Sequence, residues 1–434
     1  MLTGWLDRDA NAGPAASGRA DGLERAIGLG RWTVVTLLYT VSPLALVMFG
    51  WTYYDTGGSP LAKFHPSTLL AVGVVALVAM RRGANPVGGF VDIIRVNANL
   101  GPFLLATAIM MAYVTTILHI PVTLFIEVYL AAAVTLALFR GLSDREAEPL
   151  ALTLHAILFF NAALAFYEVA TGNRLTPLVV NGEDLVEETR ASALLGHPLA
   201  NAMIAGAYVL SLAQGGGRDL PVVLRAICFL TALASLIPFG GRAATGATLV
   251  GLGLLGARRI VAIIRGETID PRTVVAALIV IPLAGLAVLV AFEMGLLDTL
   301  TNRIIDDEGS ASTRLGMFEL FNHLDTYDLM FGPEPGKLNT WIRLHGLEYG
   351  IESFPVAFVL NYGMVPALVF FPALISYFVE LSRACRPGAA LVVVYYIAVA
   401  LTSISLSAKS PLLSVFAILV LVLLRRGERD ETLA

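Results

Sequence analysis

The chain has 434 residues, 57% of them hydrophobic and 14% charged, with a net charge of −4 and a mean hydropathy of +0.76. Soluble globular chains run at about 45–50% apolar and about 25% charged, so the composition points to a protein whose solvent is lipid. The charge balance and the lack of any long basic block exclude nucleic acid as a partner. The two cysteines, Cys228 and Cys385, exclude a disulfide framework and give no metal-ligand spacing.

Residues 1–30 are polar, rich in Gly and Ala, and carry Arg8, Arg19 and Arg25 without an apolar signal core. They are expected to form a disordered cytoplasmic tail. A spanning helix needs about 20 apolar residues. The candidate spans are 32–51, 66–80, 101–118, 120–139, 149–170, 193–213, 221–238, 243–257, 273–295, 353–380, 389–406 and 409–424. Nine fall in 31–295 and three in 353–425, separated by a loop at 296–352 and followed by a short tail at 426–434. The expected fold is all-α: a polytopic membrane bundle of about 12 transmembrane helices with a large periplasmic loop containing short helices. Spans 66–80 and 243–257 are short, which calls for uncertain ends or a thin local membrane.

Cytoplasmic loops carry an excess of Lys and Arg. With the N-terminus inside and strict alternation, the outside keeps only Lys63, Arg174, Arg190, Arg242, Arg303, Arg314, Lys337, Arg343 and Lys409 of the 29 basic residues. Both termini then lie in the cytoplasm. A missed helix would invert every later loop and destroy this pattern. Two outside loops stand out. Segment 171–192 is acidic (Glu183, Asp184, Glu187, Glu188), and 296–352 is far longer than a connector requires. Within it, Ser312–Leu324 reads as a helix capped by Ser312, with Leu315, Met317, Phe318, Phe321 and Leu324 on an apolar face.

Several letter matches fail on context. Gly251-x-Gly253-x-x-Gly256 lies inside a predicted span with no preceding strand, and reads as helix-packing glycine. Gly332-Pro-Glu-Pro-Gly336-Lys337 lacks the spacing and the Ser/Thr of a phosphate loop, and reads as a rigid turn. Asp306-Asp307-Glu308 reads as a solvated turn rather than a metal site.

The outside arginines carry the chemical signal. Arg190 opens Arg190-Ala-Ser-Ala-Leu-Leu-Gly196-His197-Pro198, where Pro198 makes an irregular helix entry with free backbone N–H groups suited to an anion. Arg242 sits in the tight turn Pro238-Phe-Gly-Gly-Arg242. Arg314 begins the loop helix. Guanidinium binds phosphate bidentately and stays charged, so three on one side suggest a phosphate site; the alternative is three independent interfacial arginines. His345 and Glu352 precede span 10, and either could serve as a general base. Equally, His345 reads as a surface residue and Glu352 as a helix-terminal charge. His197 reads as a supporting helix-entry hydrogen-bonder.

The ordered set is Arg190 before Gly196-His-Pro198, Arg242 in a glycine turn, Thr-Arg314-x-x-x-Phe, Phe331-Gly332-Pro, and Glu352-Ser-Phe-Pro-Val-Ala-Phe-Val-Leu-Asn361-Tyr-Gly363. It resembles the O-antigen ligase and O-antigen/exopolysaccharide polymerase family of bacteria over roughly residues 185–370. The resemblance implies an inner-membrane glycosyltransferase that takes an oligosaccharide from undecaprenyl diphosphate at the periplasmic face and transfers it to a glycan acceptor. It implies no cofactor and no metal, Arg190 and Arg242 on the diphosphate, and Arg314 assisting. A chain-length regulator and a flippase would be its protein partners, with membrane lipid around it. The ligase pattern has His-Asn where this chain has Glu352-Ser353, which leans toward a polymerase and leaves the base open between Glu352 and His345. A ligase of the same fold is one alternative. A transporter or flippase of lipid-linked sugars is another, though its charges would sit near mid-depth, where the spans hold chiefly Glu127 and Glu168.

Overall fold

Proline starts many of the helices, since its missing N–H costs nothing at the first helical position. The computed structural model describes residues 14–55, 57–82, 85–177, 179–180, 183–184, 189–266, 316–347 and 351–426. Helix α1 (Pro14–Thr40) is followed by α2 (Pro43–Met48), with Ser42 capping Ala45 N at 3.0 Å. Next come α3 (Pro66–Ala79), α4 (Pro86–Val96) and α5 (Leu100–Thr116). A π-helical turn (Phe125–Leu130) leads into α6 (Ala131–Phe139). The long α7 (Asp144–Thr171) opens with a capping box between Ser143 and Glu146. A two-stranded ladder, β1 (Val179–Val180) with β2 (Glu183–Asp184), precedes α8 (Pro198–Ala213), α9 (Val222–Phe239) and α10 (Arg242–Ile264). After the undescribed stretch come α11 (Thr326–Phe331), α12 (Pro335–Leu344), α13 (Phe354–Tyr362), α14 (Met364–Ala384), α15 (Ala389–Leu401) and α16 (Leu412–Leu423).

The architecture is all-helical apart from that small ladder. Among the described residues, α7, α9, α10 and α14 are each long and apolar enough to cross a membrane. The bent pair α4–α5 makes a fifth candidate. Helix α10 shows the pattern of a lipid-facing element. Its buried residues are Ala244, Thr248 and Gly251, one stripe against the bundle, while Leu249, Val250, Leu254 and Ile260 are bare. At the centre stands α16, all 12 of whose residues are buried. Phe416 stacks on Tyr396 of α15 at 3.9 Å. Aromatic rings from α5 (Phe103), the π turn (Phe125, Tyr129), α13 (Phe358) and α14 (Phe370, Tyr377) interlock beside it.

Several sequence expectations change. Helix α1 begins at Pro14, inside the stretch read as a disordered tail, and its Ile27 is fully buried. The span at 32–51 is broken at Val41-Ser42, and the span at 353–380 is broken at Gly363, whose φ of +89° admits no continuous helix. The short span 243–257 extends to Arg242–Ile264, because Arg258 and Arg259 continue the helix. The segment read as an inside loop with Arg95 contains α4. Of the three glycines at 251, 253 and 256, only Gly251 packs, against Leu210 of α8; a Cβ at the other two would meet open space. Span 273–295, the acidic run 306–308, Ser312 and Arg314 lie outside the described residues.

Candidate functional site at the entry to helix α8

The segment 189–197 has no regular structure, so its backbone must find partners elsewhere. Glu168, buried near the end of α7, supplies them. Its carboxylate accepts from Leu175 N at 2.8 Å, Ser192 N at 2.8 Å and Ala193 N at 2.9 Å. Ala193 takes a φ of +39°, and Gly196 one of +72°. Two buried amides complete the frame. Asn161 Oδ1 accepts from Leu194 N at 2.9 Å, and Asn201 Nδ2 donates to Ser192 O at 2.6 Å. Asn161 also donates to Asn201 Oδ1 at 2.9 Å. His197 is the N-cap of α8, its Nδ1 accepting from Leu199 N at 3.2 Å. This imidazole therefore takes up one orphan donor at the helix start.

Arg190 is half-buried at the head of this frame. The next residue ties it to the second arginine: Ala191 N donates to Pro238 O at 2.9 Å. Pro238 ends α9, Gly240 turns the chain at φ +62°, and Arg242 is the first residue of α10, exposed. Gly241 must lack a side chain, because a Cβ there would lie 2.5 Å from Ala202 Cβ of α8. The fold thus joins the Arg190 loop, the Arg242 turn and His197 around one helix entry.

Beside them opens a cavity of about 670 Å³, within the usual range of about 300–1,000 Å³ for small-molecule sites. Its walls are mostly apolar (Leu44, Val47, Leu199, Met203, Val399), and its polar edge includes Asp55, His197, Ser403, Ser405 and Lys409. Gly241 and Ala243, on either side of Arg242, also line it. Helices α15 and α16 rise only about 20 and 18 Å, short of the hydrocarbon thickness of about 30 Å. Irregular backbone at membrane depth is tolerated where it is buried in protein or lines a cavity. Residues 402–411, which join the two helices, line the cavity at Ser403, Ser405 and Ser410. Lys409 donates to Tyr53 O and to Lys63 O (2.6 Å) and sits 4.1 Å over the Tyr53 ring.

The candidates in and beside the 296–352 segment form a second group. Met317, Leu320, Leu338, Leu347 and Ile351 build a small core against Ala357 and Leu360 of α13. Phe318, on the expected apolar face of the loop helix, is 57% exposed, while Met317 on the same expected face is buried. His345 ends α12, with Nδ1 2.9 Å from Trp341 O and Nε2 3.2 Å from His323 Nε2. His323 stacks on Trp341 at 4.0 Å. Glu352 is half-buried, one residue before the N-cap Ser353 of α13. Lys337 bonds Asp328 and lies 3.6 Å from Asp325. That hydrogen bond raises the Lys337 ammonium above its usual value. Asp325 is held low by the N–H of Asp328 and by Lys337. The turn Phe331-Gly332-Pro crosses Asn361-Tyr-Gly363 so closely that a Cβ on Gly363 would meet Gly332 N at 2.5 Å. Neither His345 nor Glu352 lines the cavity beside α8.

Sequence reasoning passed over two residues that the geometry makes important. Glu168 registered only as an acid inside an apolar run, and Lys409 only as one outside cation. Among the described residues, no group of three or more His, Cys, Asp or Glu could hold a metal ion. No family model, curated protein or solved structure matches the chain.

Proposed function

We propose that the chain is a membrane glycosyltransferase, a polysaccharide polymerase that draws oligosaccharide from undecaprenyl diphosphate at the periplasmic face of the bacterial inner membrane. The observation that carries this reading is the Ala191–Pro238 hydrogen bond. It ties the loop of Arg190 to the turn of Arg242 at the edge of a largely apolar cavity. Neither arginine is among the residues that line the cavity, but Gly241 and Ala243 on either side of Arg242 are, and two arginines near an apolar chamber would suit a ligand that is a diphosphate at one end and a lipid at the other.

In the proposed reaction the acceptor hydroxyl oxygen attacks the anomeric carbon of the donor sugar. The bond from that carbon to the diphosphate oxygen breaks, and the electron pair leaves with the diphosphate. Arg190 and Arg242 would stabilise the charge that develops there, as fixed positive groups do in a water-poor site. Arg314 keeps its assisting role as a proposal on the sequence pattern alone. A base must take the hydroxyl proton. Glu352 and His345 both stand as candidates for that base; the ring nitrogens of His345 face the Trp341 carbonyl and His323. A ligase of the same fold would use the same groups, but Glu352-Ser353 stands where the ligase pattern has His-Asn.

The transporter reading needs free charge near mid-depth. Glu168 is taken up by backbone N–H groups, and Glu127 accepts from Thr68 Oγ1 at 3.0 Å and His65 N at 3.3 Å. The twelve-span topology belongs to the same proposal. Contacts among helix ends support it: Arg31 with Glu146, Arg425 with Asp144 and Asp219, and Arg140 with Glu380 group residues assigned to the cytoplasm. Lys409 with Lys63, and Ala191 with Pro238, group residues at the helix ends assigned outside.

The test is purified protein with an undecaprenyl-diphosphate oligosaccharide. Growth of a sugar ladder supports the polymerase, and transfer only to a lipid-core acceptor moves the assignment to a ligase. Donor flipping without transfer would overturn the enzyme reading. Arg190→Ala and Arg242→Ala are each expected to abolish polymer while the protein still inserts. Near-normal polymer from both would remove the diphosphate assignment.

A further inference from the structure

Helix α4 divides its surface into three faces. Val87, Phe90, Val91 and Ile94 recur at helical spacing and are 72%, 43%, 39% and 43% exposed. A second face meets the protein. A Cβ on Gly89 would lie 2.2 Å from the Ala79 carbonyl oxygen at the end of α3, and Ile93 packs on the main core. The third face carries Asp92 and Arg95, with Arg95 exposed. The axis of α4 turns 109° from that of α5. The corner between them is anchored, since Glu380 accepts from Asn99 N at 3.2 Å and from Asn99 Nδ2 at 2.6 Å and pairs with Arg140.

We infer that α4 lies flat in the membrane–water interface, with Val87, Phe90, Val91 and Ile94 sunk into one leaflet and Arg95 among anionic headgroups. Three observations choose lipid as the occupant. The angle lays α4 nearly across α5, so if α5 runs through the bilayer then α4 runs along its surface. Helix α5 also carries bare apolar side chains, at Leu105 (63% exposed) and Ile109 (49%). The helix ends in a basic residue, Arg95, and follows an exposed one, Arg81, which pairs with Glu24. An amphipathic helix in this setting binds through apolar burial plus attraction to anionic lipid, and a long Arg stem lets the guanidinium reach the headgroups. The interface would set the depth of α3 and α5, since Gly89 and Asn99 couple α4 to both.

The experiment places single cysteines by Val87→Cys, Phe90→Cys and, separately, Asp92→Cys in the full chain. Each is labelled with an environment-sensitive fluorophore and reconstituted into phosphatidylglycerol-containing vesicles. Cys228 and Cys385 are buried, and the unsubstituted chain sets the background. Nitroxide lipids labelled near the headgroup should quench the probes at positions 87 and 90 more than lipids labelled at the chain end. The probe at position 92 should lose little fluorescence with either. Arg95→Gln should reduce the quenching at position 90 in anionic vesicles toward the level in pure phosphatidylcholine. Absence of lipid quenching at both 87 and 90 would mean that water, a second copy or another protein covers this face, and overturns the inference. Stronger quenching by the deep label would make α4 half of a bent span, and overturns it equally.

Discussion

Glu168 shows how a single buried carboxylate shapes the candidate site. It gathers backbone N–H groups of Leu175, Ser192 and Ala193, and each buried donor left unpaired costs about 1–3 kcal/mol. Glu168→Ala should therefore lower the thermal midpoint and abolish polymer with Arg190 and Arg242 intact. Glu168→Gln retains one acceptor oxygen and should fall between. A Glu168→Ala protein with wild-type midpoint and activity would show that the carboxylate does not hold the loop. The sequence marked the Arg190 segment through Pro198, a local signal. It had no means of marking Glu168 as its support, because Ser192 and Ala193 lie 24 and 25 residues further along the chain.

At the scale of elements, two glycines lock the segment before α13 to the bundle. Gly332 and Gly363 have φ values of +81° and +89°, and backbone occupies the space where each Cβ would go. At ψ of 140° and 164° this backbone is essentially restricted to glycine, so a side chain at either position meets strain of about 1–3 kcal/mol and overpacking of about 1–3 kcal/mol. Gly363→Ala should loosen segment 316–347, read as faster limited proteolysis there, with the helical circular-dichroism signal unchanged. An unaltered cleavage rate would dissociate the crossing from loop attachment. Both glycines belong to short motifs visible in the sequence, Phe331-Gly332-Pro and Asn361-Tyr-Gly363. What remained hidden was that the two motifs touch, and that Gly363 divides what reads as one apolar run into α13 and α14.

For the whole molecule, sidedness is the decisive property. The proposed topology puts the α11 region outside and the end of α10 inside. Thr326→Cys should react with a membrane-impermeant maleimide on intact spheroplasts, whereas Arg258→Cys should react only after permeabilisation. Both positions are exposed, so access depends on the membrane alone. The reverse pattern would invert the topology and move the Arg190–Arg242 site to the cytoplasmic face. The ion pairs give this scheme a physical basis: Arg425, 5% exposed, is held between Asp144 and Asp219, which joins the ends of α7, α9 and α16. Asp219 is buried like Arg425, and removing one partner of such a pair costs about 3–5 kcal/mol.

By itself the sequence determined that the chain is helical and rich in apolar helices, and roughly where those helices run. These properties are local: an apolar run must satisfy its own backbone, and in lipid a helix does so without outside help. The tertiary structure alone decided that a 12-residue helix stands at the centre, that irregular backbone at 402–411 lines a cavity, and that Arg190 and Arg242 share one helix entry. It also decided that α4 leaves Val87 and Phe90 bare while Gly89 grips α3. Each of these depends on contacts between residues far apart in the chain, and the order of apolar and polar letters carries no record of them.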